Sequence, residues 1–203
     1  MRFHYRLGWA LLNFVLKALW GLKKRGTEYI PQRGGVIIAS NHRAYSDPPL
    51  LGTAAPRELF YLAKKELFEN KAFGWLIAKF NAIPIQRKAF DRKGYNTALE
   101  LLKSGNALVL FPEGTRSKNG ELLPPQQGVG KIALEAGVPI VPAYIRNSKN
   151  LFGNLFKRKR LVVKFGSPIN GDWLNAIPNN KEGYKAIGEE IMRRIRLLKE
   201  SNP

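Results

Sequence analysis

The spacing of apolar positions changes at about residue 26, and the change separates two kinds of structure along the chain. From Leu7 to Leu22 the apolar residues recur at helical spacing. At about 100° per residue, Arg2, Arg6, Asn13, Lys17 and Lys24 fall within an arc of roughly 60°, whereas Trp9, Leu11, Leu12, Phe14, Val15, Leu16, Leu19 and Trp20 fill most of the remainder. This pattern predicts a helix with one thin polar stripe. Its longest uncharged run, Leu7 to Leu16, is shorter than the ~20 apolar residues a spanning helix needs, so the expected position is flat in a membrane interface. No small-residue cleavage site closes the stretch before Lys23-Lys24-Arg25, and the segment is read as part of the mature protein.

Beyond Gly26, short apolar runs alternate with helical patterns. Strands are expected at Val36 to Ser40, Leu59 to Ala63, Ile83 to Gln86, Ala107 to Phe111, Ile140 to Ile145 and Leu161 to Phe165. Several of these runs are almost continuously apolar, as strands covered on both faces are. Helices are expected near Pro48 to Thr53, Asn70 to Phe80, Asp91 to Lys103 and Val129 to Ala136. A last one, Lys181 to Leu198, sets Tyr184, Ile187, Ile191, Ile195 and Leu198 along one face. The alternation predicts an α/β domain over residues 26–203, built on a largely parallel, mixed β-sheet flanked by helices. Residues 1–25 precede it as an N-terminal amphipathic, membrane-associating helix.

Composition narrows the chemistry. The 203 residues suffice for one domain with a real core, and the absence of cysteine excludes a disulfide framework, a thiolate nucleophile and cysteine-ligated zinc. Two histidines argue against a metal cluster. A net charge of +19, from 34 Lys+Arg against 15 Asp+Glu, predicts an anionic partner: lipid head groups, coenzyme phosphates, an acidic carrier protein or nucleic acid. The basic residues are dispersed and no groove-reading or base-stacking motif accompanies them, so a nonenzymatic nucleic-acid-binding module is the weaker alternative and no nucleic-acid partner is expected.

Two short blocks carry the candidate chemistry: Asn41-His42-Arg43-Ala44-Tyr45-Ser46-Asp47 and Leu110-Phe111-Pro112-Glu113-Gly114-Thr115-Arg116-Ser117. His42 is a candidate general base and Asp47 the carboxylate that would orient it. On a regular helix Asp47 would sit about 140° from His42, so a turn has to intervene, and Ser46 and Pro48-Pro49 are suitable turn residues. In the second block Gly114 permits a backbone course that brings amides to a ligand, and Arg116 offers a planar fork matched to phosphate oxygens. His42, Arg87 and Glu113 each lie just past an apolar strand run. Ligands of α/β sheets bind outside the carboxyl ends of the strands, so all three are expected at one crevice.

In this order the two blocks resemble those of the glycerophospholipid acyltransferases, most nearly the 1-acyl-sn-glycerol-3-phosphate (lysophosphatidic acid) acyltransferases. The N-H-x4-D and F-P-E-G-T-R-S patterns of that family stand here without a substitution. Its G-x-x-F-I-D-R block appears as Asn81-Ala82-Ile83-Pro84-Ile85-Gln86-Arg87, which keeps the hydrophobic centre and the arginine but not the glycine. Its V-P-I-V-P block is Val138-Pro139-Ile140-Val141-Pro142. Gln126-Gln127-Gly128 departs from the aromatic and lysine often found before that glycine.

The resemblance implies acyl transfer from a thioester to the 2-hydroxyl of lysophosphatidic acid, giving phosphatidic acid. His42 would be the base and Asp47 its orienting carboxylate. Arg87, Glu113, Gly114, Thr115 and Arg116 would bind the acceptor, with Glu113 meeting a hydroxyl or fixing Arg116. The donor would be acyl-CoA or acyl carrier protein, with no further cofactor and no metal, and the enzyme would sit monotopically on an anionic membrane, at its cytoplasmic face. With no cysteine, and no second histidine placed beside a serine, direct transfer in a ternary complex is expected rather than an acyl-enzyme. Glycerol-3-phosphate or another lyso-lipid as acceptor, and hydrolysis of the thioester, are the alternatives within the same chemistry.

Overall fold

Residues 2–86 and 91–201 are described by the computed structural model of the chain. Among these residues seven strands form one sheet: β1 (Lys23–Arg25), β2 (Val36–Ser40), β3 (Leu59–Lys64), β4 (Ala82–Ile85), β5 (Ala107–Leu110), β6 (Ile140–Arg146) and β7 (Val162–Phe165). Their spatial order is β1-β7-β6-β2-β5-β3-β4. Every pairing is parallel except β6 with β7. The largely parallel, mixed sheet expected from the sequence is therefore present, and the hairpin-like return of β7 supplies the mixed character.

The continuous apolar runs are explained by helices on both sides. In β2, Val36 and Ile38 face one core and Ile37 and Ala39 the other; in β5, Ala107 and Val109 part from Leu108 and Leu110 in the same way. The first core receives Leu16 of α1 (Phe3–Trp20), Leu50, Leu51 and Ala54 of α2 (Asp47–Ala54), and Leu151 from α6 (Leu151–Phe156). The second receives α4 (Arg92–Lys103), α5 (Gln127–Ala136), α7 (Gly171–Asn175) and α8 (Lys181–Glu200), through residues such as Leu102, Ala133, Leu174 and Ile191. α5 and α8 touch backbone to backbone: a Cβ on Gly130 would lie 2.0 Å from the Tyr184 carbonyl oxygen. The remaining helix, α3 (Lys71–Lys79), precedes the edge strand β4.

Asparagine and aspartate start several helices. The side chains of Asn70, Asp91, Asn150 and Asn180 each accept from the amide three residues on, at 2.9 to 3.1 Å, satisfying a donor the helix itself leaves open. Three short elements, β1, α6 and α7, were not expected from spacing. Each is three to six residues long, too few for a period to show.

α1 turns out to have two apolar faces rather than one. Tyr5 and Leu16 are buried, Trp9 Nε1 donates to the Ala55 carbonyl at 3.2 Å, and Trp20 Nε1 donates to that of Leu151 at 2.7 Å. Asn13, placed in the polar stripe by the sequence, also faces the body, donating to the Thr53 carbonyl at 2.9 Å. Phe3, Leu7, Leu11 and Phe14 lie on the opposite side and are 62 to 83% exposed. The expected division at residues 25/26 is crossed by the sheet, because β1 pairs with β7 and both Leu16 and Leu22 join the core. Among the described residues no helix is long and apolar enough to cross a membrane.

Candidate active site

β2 and β5 lie side by side and parallel, with Ala39 opposite Leu110, so the loops that follow them leave the sheet together. That register brings the two sequence blocks into contact. The His42 amide donates to Glu113 Oε1 at 2.9 Å, and the Ser117 amide donates to the His42 carbonyl at 2.8 Å.

Asp47 is the first residue of α2, and the turn required by the five-residue spacing is closed by its amide on the Ala44 carbonyl at 3.2 Å. Its carboxylate folds back over that turn. Asp47 Oδ2 lies 2.8 Å from His42 Nδ1 and accepts from the amides of Arg43 at 2.6 Å and Ala44 at 2.8 Å. One oxygen thus shapes the loop and holds the ring. The imidazole stacks on Phe111 with centroids 4.0 Å apart and planes 18° from parallel. His42 and Asp47 are both buried. Clamped on an edge and on a face, the ring has little freedom left.

Asn41 extends the sheet by its side chain. Past the last residue of β2 it donates to the Ile145 carbonyl at 3.1 Å and accepts from the Ile145 amide at 2.8 Å, in effect one further rung of pairing with β6. An asparagine can do this because its amide carries a donor and an acceptor at the spacing of a peptide.

Glu113 sits between the two loops. It is buried, and its two oxygens accept from the amides of His42 and, at 3.0 Å, Leu123. The carboxylate braces the histidine loop against the loop of residues 117–126, and Arg116 stacks elsewhere. The structure thus gives Glu113 a bracing position between the two loops. Burial raises the Glu113 pKa above its ordinary 4.5, and the two amide hydrogen bonds oppose that rise. The native state then holds this proton to higher pH than the unfolded chain does. The resulting stabilisation is full below 4.5 and lost as pH rises through the native value. Urea midpoints of the wild type should decline across this window relative to those of Glu113→Gln. The amide of that variant can accept from only one of the two backbone donors, so it should lose about 1–3 kcal/mol near neutral pH.

Gly114, Thr115 and Arg116 are exposed at the rim. Gly114 has φ +66°, the left-handed conformation that glycine adopts without steric penalty. The Arg116 guanidinium lies 3.7 Å from the centroid of the Tyr45 ring, which joins it to the same loop as His42. Arg87, the other expected phosphate contact, lies outside the described residues. Tyr45 and Phe111 were not singled out as site residues: an aromatic in a motif interior carries no signal of what it will stack on.

The family model for acyltransferases matches residues 21–146, the span that contains β1 to β6 and both blocks. The chain belongs to the acyltransferase family. This acyltransferase is 32% identical over 188 residues to the 1-acyl-sn-glycerol-3-phosphate acyltransferase of Bacillus subtilis (strain 168), with 92% of each chain covered. It is 31% identical over 197 residues to the enzyme of that name from Streptococcus pneumoniae, covering 94% of this chain and 72% of the relative. The crystal structure of the 1-acyl-sn-glycerophosphate (LPA) acyltransferase PlsC from Thermotoga maritima superposes with a TM-score of 0.76. It covers 98% of this acyltransferase and 81% of that chain at 23% identity, and so shows the same fold.

Proposed function

We propose that this acyltransferase moves an acyl chain from a thioester to the 2-hydroxyl of 1-acyl-sn-glycerol-3-phosphate, producing phosphatidic acid. The observation that carries the reading is the buried His42–Asp47 pair, 2.8 Å apart, on the same loop as the ring that supports Arg116. The relatives' shared name supports the choice of acceptor. With Nδ1–H donating to Asp47, Nε2 is left as the base. It removes the hydroxyl proton as that oxygen bonds to the acyl carbon. The carbon–sulfur bond then breaks, and the proton passes to the departing thiolate. Arg116 holds the acceptor phosphate, Gly114 and Thr115 present backbone beside it, and Asn41 and Glu113 keep the two loops in register.

The acceptor reaches the site from a bilayer in this reading. The outward stripe of Phe3, Leu7, Leu11 and Phe14 on α1 is flanked by Arg6 and Lys17, an arrangement suited to lying in the head-group region of an anionic membrane.

A panel of acceptors and donors tests the reading. Purified enzyme with labelled acyl-CoA or acyl carrier protein should esterify lysophosphatidic acid at least tenfold faster than a lyso-lipid lacking phosphate, with little free fatty acid. Preferential transfer to a nonphosphorylated lyso-lipid, or to glycerol-3-phosphate, would replace the acceptor assignment; release of free acid alone would make the protein a thioesterase.

A further inference from the structure

The chemistry above makes no use of α6, yet the loop that leads into this short helix is bonded to segments beside the site. The loop that leads into it accepts from Ser46 Oγ at the Ser148 carbonyl, 3.0 Å, one residue before Asp47. It also reaches the second block, where Lys149 Nζ donates to the Lys118 carbonyl at 2.6 Å. Upstream, Asn41 pairs with Ile145. Trp20 ties the start of α6 to the end of α1, and Asn154 Nδ2 donates to the carbonyls of Asn147 and Lys149 at 2.7 and 2.8 Å. α6 is thus a rigid projection from the rim of the crevice.

What it projects is apolar. Phe152 and Phe156, one helical turn apart, are 75% and 85% exposed, and Lys157, Arg158, Lys159 and Arg160 follow at once, all exposed. Two adjacent phenylalanines in water, bordered by four cations, match a surface that is anionic outside and apolar beneath. The exposed apolar stripe of α1, to which α6 is bonded, extends the same chemistry.

We propose that α6 is a second membrane contact, distinct from α1, in which Phe152 and Phe156 enter the interface of an anionic bilayer while residues 157–160 meet the head groups. Because the loop leading into α6 is bonded to Ser46 and Lys118, beside the two catalytic blocks, the depth of α6 sets the height of the His42 crevice above the lipid. The location of the acceptor in the bilayer rests on the function proposed above; the binding itself does not.

Flotation of the full chain with vesicles of phosphatidylcholine, with and without one-third phosphatidylglycerol, tests this directly. With α1 intact, Phe152→Ser/Phe156→Ser should weaken partitioning into the anionic vesicles by roughly tenfold or more. Lys157→Gln/Lys159→Gln should remove about fivefold per cation, on the anionic vesicles only. Turnover of vesicle-embedded lysophosphatidic acid should fall in both variants, while turnover in detergent micelles and the thermal midpoint stay at wild-type values. Wild-type flotation of both variants would overturn the proposal. If flotation were unchanged but turnover fell only with acyl carrier protein as donor, α6 would be a protein-docking element instead. A protein that floats through α6 yet transfers no acyl chain would refute the proposed function and leave this inference standing.

Discussion

His42→Ala is expected to lower kcat by about 10³-fold with saturating donor and acceptor, while the protein stays folded. General-base catalysis by a positioned side chain contributes on the order of 10²- to 10⁴-fold, and no other histidine stands near: His4 is exposed on α1. The fold should survive because Asp47 keeps two backbone donors, Arg43 and Ala44, after the ring is gone. The main loss is the stacking contact with Phe111. Initial rates together with a thermal unfolding curve check both halves. Turnover within tenfold of wild type would remove His42 as the base, and loss of the folded transition would leave Asp47→Asn, whose geometry is nearly unchanged, as the variant that decides. In that variant a drop of about tenfold or more is expected, because an amide oxygen in the place of Oδ2 can keep the tautomer but no longer carries the charge that stabilises the imidazolium.

Arg116→Ala should act on binding rather than chemistry. A charge-assisted hydrogen bond to a phosphate contributes about 1.5–3 kcal/mol, so the acceptor KM should rise roughly 10- to 100-fold with kcat changed only a few-fold and the donor KM unaltered. Arg116→Lys should recover only part of this, since an ammonium cannot reproduce the two-pronged contact and stacks less well on Tyr45. A collapse of kcat at constant acceptor KM would instead put the guanidinium in the transition state. Full steady-state kinetics in both substrates separates the two outcomes.

The longer elements were readable from periodicity because burial repeats with the geometry of each element. β2 and β5 bury alternate residues in two different cores, and that produces uninterrupted apolar runs. α8 buries Ile187, Ile191 and Ile195, one side chain per turn. β1, α6 and α7 escaped because their stability comes from neighbours: β1 is held by β7 and α6 by Trp20 and Asn154. The second apolar face of α1 could be seen as a broad hydrophobic arc, but spacing alone has no means of telling a face that meets the protein's own core from one left exposed.

The site was legible to different depths. His42 and Asp47 were recognisable as a pair because their chemistry restricts what they can do together, and the required turn could be inferred from five-residue spacing. Glu113 was less legible: its place in the motif does not tell that its carboxylate is a buried acceptor for two backbone amides.

By itself the sequence settled which side chains can donate, accept or carry charge, and which segments must be helix or strand, because these depend on residue type and local spacing. Only the tertiary structure decided which of those groups meet. The parallel register of β2 on β5 brings His42 to Glu113, the α2 start turns Asp47 onto the imidazole, and the β6 end places Asn41 and α6 at the rim. Contacts between residues tens of positions apart are set by how sheets and helices pack, and no local pattern encodes that packing.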